Sequence, residues 1–172
     1  MRQTDSSLLD EWEALSDPDH VPRTLTDPTA PPPRPLSQQE RAFQVMIRNA
    51  MWRRVELVAR DDLNGLTALE EADAARVDPP REVVMTREAW DAAIEDYFNE
   101  HDTVATSGDA RGPDMLLIER SVLERTGRHW PVRQTLADPA GHHDWVIEAE
   151  VDVDASDELG ELVLTTTAMR RL

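Results

Sequence analysis

Two groups of residues have the types and positions to do chemistry: one arginine set among apolar side chains, and one short run of titratable groups. At 100° per residue, Arg54 falls in the middle of the stripe formed by Phe43, Ile47, Ala50 and Val58, where an apolar side chain is expected. A buried guanidinium needs an acceptor or it destabilises the fold. Arg54 therefore forms a buried ion pair with a sheet carboxylate, bends its stem so that the head reaches solvent, or sits in a pocket and holds an anionic ligand. The run is His142-His143-Asp144, with Asp138 nearby. On a strand, neighbours point to opposite faces, so His142 and His143 would not both address one metal ion, and no third His lies at ligand spacing. No metal and no cofactor is expected. What remains is a His143–Asp144 acid/base pair or a turn held by side-chain-to-backbone bonds, and Asp138-Pro139-Ala140-Gly141 is ordinary turn chemistry. His101 ends a helical face, where capping the helix C-terminus is its expected job. Tyr97 on the same face and Trp130 further on are candidates to line a pocket.

Composition removes several function classes. There is no Cys, so disulfides, thiolate chemistry and sulfur-ligated metals are excluded. All 18 basic residues are Arg, and a phosphate-binding P-loop requires a Lys, so this chain holds no such ATP site. No G-x-S-x-G elbow supports a serine hydrolase. Residues 1–60 hold 8 Arg against 9 acids, whereas residues 61–172 hold 10 Arg against 26 acids. A domain so acidic is ill suited to gripping a phosphate backbone, which leaves Arg41, Arg48, Arg53 and Arg60 as a weak case for direct RNA binding. Trp52, on the polar side of its helix near Arg48 and Arg53, reads as a dock for the N-terminal segment or a partner before it reads as a base-stacking platform. No apolar run is long enough for a membrane span and no leader is evident, so a soluble cytoplasmic protein is expected.

The elements that must position these groups follow from periodicity. Leu8, Leu9, Trp12 and Leu15 predict a short amphipathic helix within residues 1–16. Seven of the twelve prolines lie between Asp17 and Leu36, which predicts an extended linker over residues 17–36. The folded domain is expected over residues 37–172, opening at Ser37-Gln38-Gln39-Glu40 with capping-box spacing. A long helix to about Arg60, a second from Thr67 to Val77 and a third capped by Thr86 come first. The period then changes to two. Met115–Leu123 and Arg128–Leu136 predict a hairpin across Thr126-Gly127, Trp145 to Asp154 a half-buried strand, and Glu161 to Met169 the last one. Three helices packed on a four-stranded antiparallel sheet make an α+β domain.

The segments Asp138–Trp145, Val146–Asp154 and Ala155–Glu161, with Asp5–Leu15 and Arg48–Leu57, resemble the C-terminal portion of actinobacterial DEAD/DEAH-box helicases that carry domain of unknown function 3516. The element order and the W-x-V…D-P-x-G-x-x-D-W run also resemble the curved-sheet cone of nuclear transport factor 2 and its SnoaL-like relatives. The first likeness implies a non-catalytic accessory domain whose partners are a helicase core or RNA-processing proteins. The second implies a sheet whose outer face pairs two copies, and offers an alternative function: a small-molecule-binding or lyase/isomerase-like pocket. In SnoaL-like enzymes pocket Asp, His and Tyr groups do the acid/base work, and Arg54, Tyr97, His101, Trp130, His143 and Asp144 are the residues that could occupy similar places. The likeness matches by region only, so no residue is assigned a catalytic role.

Overall fold

Helix α1, Glu40–Ala59, buries Phe43, Ile47, Met51, Arg54, Val55 and Val58 along one face, at the three- and four-residue spacing the sequence shows. In this computed structural model residues 34–120 and 128–172 are described. The expected N-terminal helix, nearly all of the proline-rich linker and the turn at Thr126-Gly127 lie outside them. Ser37 does not open α1 as a capping box. Its amide and its hydroxyl both donate to the Asp157 carboxylate, at 2.8 and 2.7 Å, and Leu36–Gln38 forms a 3-10 turn ahead of the helix.

Helix α2, Leu63–Ala74, starts a turn earlier than its periodicity suggests because the Asp62 side chain accepts the Gly65 amide. That cap needs glycine: a Cβ at position 65 would lie 2.6 Å from the Asp62 carboxylate and 2.7 Å from Leu57. Helix α3, Arg87–Glu100, begins where expected, with the Thr86 hydroxyl accepting the Ala89 amide, and buries Trp90, Ile94 and Tyr97.

The sheet is an antiparallel meander in the order β1 (Leu116–Ile118), β2 (His129–Thr135), β3 (Trp145–Asp152), β4 (Leu164–Arg171). Its register sets three rows on the face toward the helices. Leu116, Gln134, Ile147 and Met169 form the first, Ile118, Val132, Ala149 and Thr166 the second, and Trp130, Val151 and Leu164 the third. These residues share one core with the buried faces of α1, α2 and α3. A bulge between Glu148 and Ala149 keeps Thr166 and Met169 both facing inward although they are three residues apart.

The strand expected to reach Asp154 stops at Asp152, whose side chain accepts the Ala155 amide and caps a seven-residue helix, α4 (Val153–Leu159). Gly160, at φ 70°, ends that helix in the left-handed conformation. A short carboxylate side chain offers the backbone a local partner, and here that partner beats continuation of the ladder. The domain is α+β, with three helices ahead of a four-stranded antiparallel sheet. No helix among the described residues is long and apolar enough to cross a membrane.

Candidate functional site

The structure distributes the six candidate residues over three places. The first is the Arg54 cluster. Arg54 is fully buried, and its three guanidinium nitrogens all donate. Nε reaches Glu70 at 3.0 Å and the Thr166 hydroxyl at 2.5 Å, Nη1 reaches the Ala50 carbonyl at 3.1 Å, and Nη2 reaches Asp73 at 2.7 Å. The Thr166 hydroxyl in turn donates to Glu70 at 2.8 Å. The ion-pair reading is right in kind but not in its partner, because both carboxylates come from α2 and the sheet contributes a hydroxyl. Helix spacing explains this. Glu70 and Asp73 lie three apart and share a face of α2, which packs beside α1. A surface cleft of about 470 Å³ runs past Arg54, between Met46, Leu69, Leu162 and the Arg76–Glu161 pair. Arg54 borders this cleft fully buried, with each of its three nitrogens already donating within the protein.

Trp130 lies at another end of the sheet. Its ring packs on Phe43, centroids 5.5 Å apart, and Arg120 stacks over it. Trp130 pairs with Val151, six residues along β3 from Trp145, so roughly 20 Å of strand separates it from the remaining candidates.

Of those that remain, Tyr97 and His101 meet, beside Asp138 and His142. Tyr97, on the last turn of α3, packs edge-on against Trp145 at 5.5 Å and against the His101 ring at 5.1 Å. Its hydroxyl donates to the Thr103 carbonyl at 2.9 Å, so the proton an acid/base role would use is already engaged. Burial, with the Asp138 and Asp144 carboxylates adding to it, pushes the Tyr97 pKa up to about 12. The His101 backbone closes α3 by donating to Tyr97, as a C-cap should, but its side chain does not cap. It is buried, with Nδ1 stopping 4.0 Å from Asp138 and Nε2 without any partner among the described residues.

Asp138 is the centre of the β2–β3 turn. Its two oxygens accept the His142 amide at 3.1 Å and the His143 amide at 2.7 Å. Burial raises its pKa, yet the amides of His143 and His142, with the His101 ring beside it, outweigh that and bring it down to about 2. Gly141 at φ 72° and His143 at φ 53° turn the chain back, so that His142 stands over Asp138. One nitrogen of His101, one of His142 and one oxygen of Asp138 all lie within 4.8 Å of each other. His143 instead projects into solvent, and Asp144 pairs with Arg171 at 2.7 Å. The expected His143–Asp144 acid/base pair therefore gives way to the turn reading, and Asp138 is the acceptor that holds the turn.

Sequence reasoning missed that His101 joins this turn, because 37 positions separate it from Asp138 and only the fold closes the gap. It also misplaced Trp52. That ring is 7 % exposed and lies under the Arg111 guanidinium at 5.5 Å. Arg111 is held by Asn49 at 2.7 Å, and its carbonyl accepts from Arg48 at 3.2 Å. The expected dock for Trp52 is thus filled from within, by the loop between α3 and β1.

Fold and site together define an α+β domain, helices on one face of an antiparallel meander, with one satisfied and one unsatisfied polar cluster in its core. Residues 1–169 match the family described as Domain of unknown function (DUF3516), and the chain belongs to that family. No curated protein and no solved structure matches it.

Proposed function

We propose that this chain is a non-catalytic accessory and interaction domain that works beside a DEAD/DEAH-box helicase. The resemblance of Asp138–Glu161, Asp5–Leu15 and Arg48–Leu57 to the C-terminal region of such helicases carries this reading, and residues 1–169 belong to a family whose description assigns no function. The packing of the domain supports it. The groups that would serve a pocket enzyme have internal duties: Arg54 is neutralised by Glu70 and Asp73, Tyr97 donates to a backbone carbonyl, and Trp130 packs on Phe43. A SnoaL-type pocket, the competing reading, needs those groups to converge on one cavity, and they point to three places. A nuclear transport factor 2-like cone remains part of the proposal as a reading of the helices-then-meander order.

The acidic surface directs the proposal toward protein and away from nucleic acid. With a net charge of −17, the chain gains nothing from phosphate counterion release. The test mixes the purified full chain with the separately purified helicase core of the resembled family. It measures complex formation by titration calorimetry and RNA-stimulated ATP hydrolysis with and without the chain. A complex and an altered hydrolysis rate are expected, with no binding of single-stranded RNA by the chain alone. Absence of both complex and rate change would defeat the proposal. Sedimentation over a range of concentrations separately reads whether two copies pair through the outer face of the sheet, where Arg133, Glu148 and Arg170 form an exposed charged ladder.

A further inference from the structure

We infer that His101, Asp138 and His142 form a divalent transition-metal site, with Zn²⁺ the ion their chemistry fits best. Two imidazoles and one carboxylate are nitrogen and oxygen donors of the kind zinc accepts, and three protein ligands with a fourth position open is a common zinc arrangement. Their ligand atoms already lie within 4.8 Å of each other. Zinc ligands at about 2.0–2.2 Å from the metal stand about 3.4 Å apart, so closing the set takes a shift of about 1.5 Å. The exposed His142 can supply most of it, and the buried pair, 4.0 Å apart at His101 Nδ1 and Asp138, must close by about 0.6 Å.

The independent sign is the state of His101. A ring 92 % buried, with Nε2 unpartnered and Nδ1 4.0 Å from the nearest carboxylate, leaves its polar atoms at a cost that native cores normally avoid. The ring nitrogen turned toward Asp138 is Nδ1, and an ion bound between them would use that nitrogen directly. Asp138 can take part without giving up its turn, because each of its oxygens accepts one amide and keeps a second lone pair. Those two amides are then outer-shell groups that orient the ligand carboxylate. Bound there, the ion would tie the end of α3 to the β2–β3 turn and leave one coordination position facing outward, for water or for a side chain of a partner.

The test uses tag-free full chain stripped with EDTA and titrated with ZnCl₂, followed by calorimetry and by histidine ring resonances in NMR. CoCl₂ serves as the spectroscopic probe and MgCl₂ as the hard-ion control. One equivalent of Zn²⁺ is expected to bind and to shift the His101 and His142 rings, with no response to Mg²⁺. His142→Ala, at an exposed position where folding is not at stake, should weaken binding at least about tenfold, as should Asp138→Asn. His143→Ala and His129→Ala should leave binding unchanged. No Zn²⁺ binding, or binding that survives His142→Ala, overturns the assignment.

Discussion

Around Arg54 each guanidinium nitrogen has an acceptor, Glu70 and Asp73 each take a second donor, and the guanidinium is fully buried. Around His101, at the end of α3, a buried ring makes no side-chain hydrogen bond among the described residues, and Nδ1 stops 4.0 Å from Asp138. The first cluster joins α1, α2 and β4, the second the end of α3 and the β2–β3 turn, and each sets a buried cationic or titratable side chain near a carboxylate. Their difference is closure. A polar cluster that satisfies itself is a structural device, and its removal is felt as instability. One that leaves a buried nitrogen unmatched is stable enough to persist but has capacity for something more, and its removal should be felt only when that something is present.

The largest expected effect breaks the first cluster. Arg54→Met leaves Glu70 as a buried carboxylate without a cation, while Asp73 keeps its pair with Arg76, and this should lower stability by about 3–5 kcal/mol, read by urea denaturation of the full chain. Arg54→Met with Glu70→Leu removes both charges from the deepest part and should recover most of the loss. A single substitution costing under about 1 kcal/mol would mean that the network is not what holds α1, α2 and β4 together.

The next effect lies at the turn. Asp138→Ala strips the acceptor from the part-buried amides of two exposed residues, which should cost about 1 kcal/mol. The same denaturation, run in EDTA, measures it. A loss near zero would show that the turn is set by Gly141 and His143 backbone geometry without the carboxylate.

Tyr97 gives the pH arm of the comparison. It is the chain's one tyrosine, so the tyrosinate absorbance band reports it alone. Its folded pKa is raised to about 12, chiefly by burial, above the unfolded value of about 10. The neutral hydroxyl is therefore favoured by folding. Its contribution is fully present below about pH 10 and is lost as pH rises from there toward 12. Metal-free protein should show delayed tyrosinate formation coupled to loss of helical circular dichroism, and Tyr97→Phe should remove that coupling. Ionisation at the ordinary value with the fold intact would show that the ring is open to water.

How much of this was legible in the sequence follows the range of the interactions. The α1 stripe, the Thr86 cap and the alternation from Trp145 onward are local, and the elements stand where their periods put them. Arg54 announced itself as a polar residue on an apolar face, a local signal, but its partners on α2 could not be read because nothing in a helical pattern says which neighbour it meets. The short helix α4 was hidden by residues that fit a strand equally well until Asp152 caps the chain. Trp52 and His101 went astray for one shared reason. Each is met by a distant loop, Arg111 in one case and Asp138 in the other, and one sequence without its fold carries no trace of such an approach.

The smallest expected effect is the sharpest test of the comparison. His101→Leu keeps roughly the same volume and replaces an imidazole whose Nε2 has no partner with a side chain that asks for none. In EDTA the change should be within about 0.5 kcal/mol of neutral or slightly stabilising, since removing an unsatisfied polar group recovers its desolvation cost. That would set it apart from Arg54→Met, although both side chains are buried. With ZnCl₂ present the order should reverse. The parent chain should gain stability as ligand binding to the folded state requires, and the His101→Leu chain should gain none. A loss above about 2 kcal/mol in EDTA would mean that His101 already stabilises the fold through its 4.0 Å approach to Asp138, and the two clusters would then be the same kind of device.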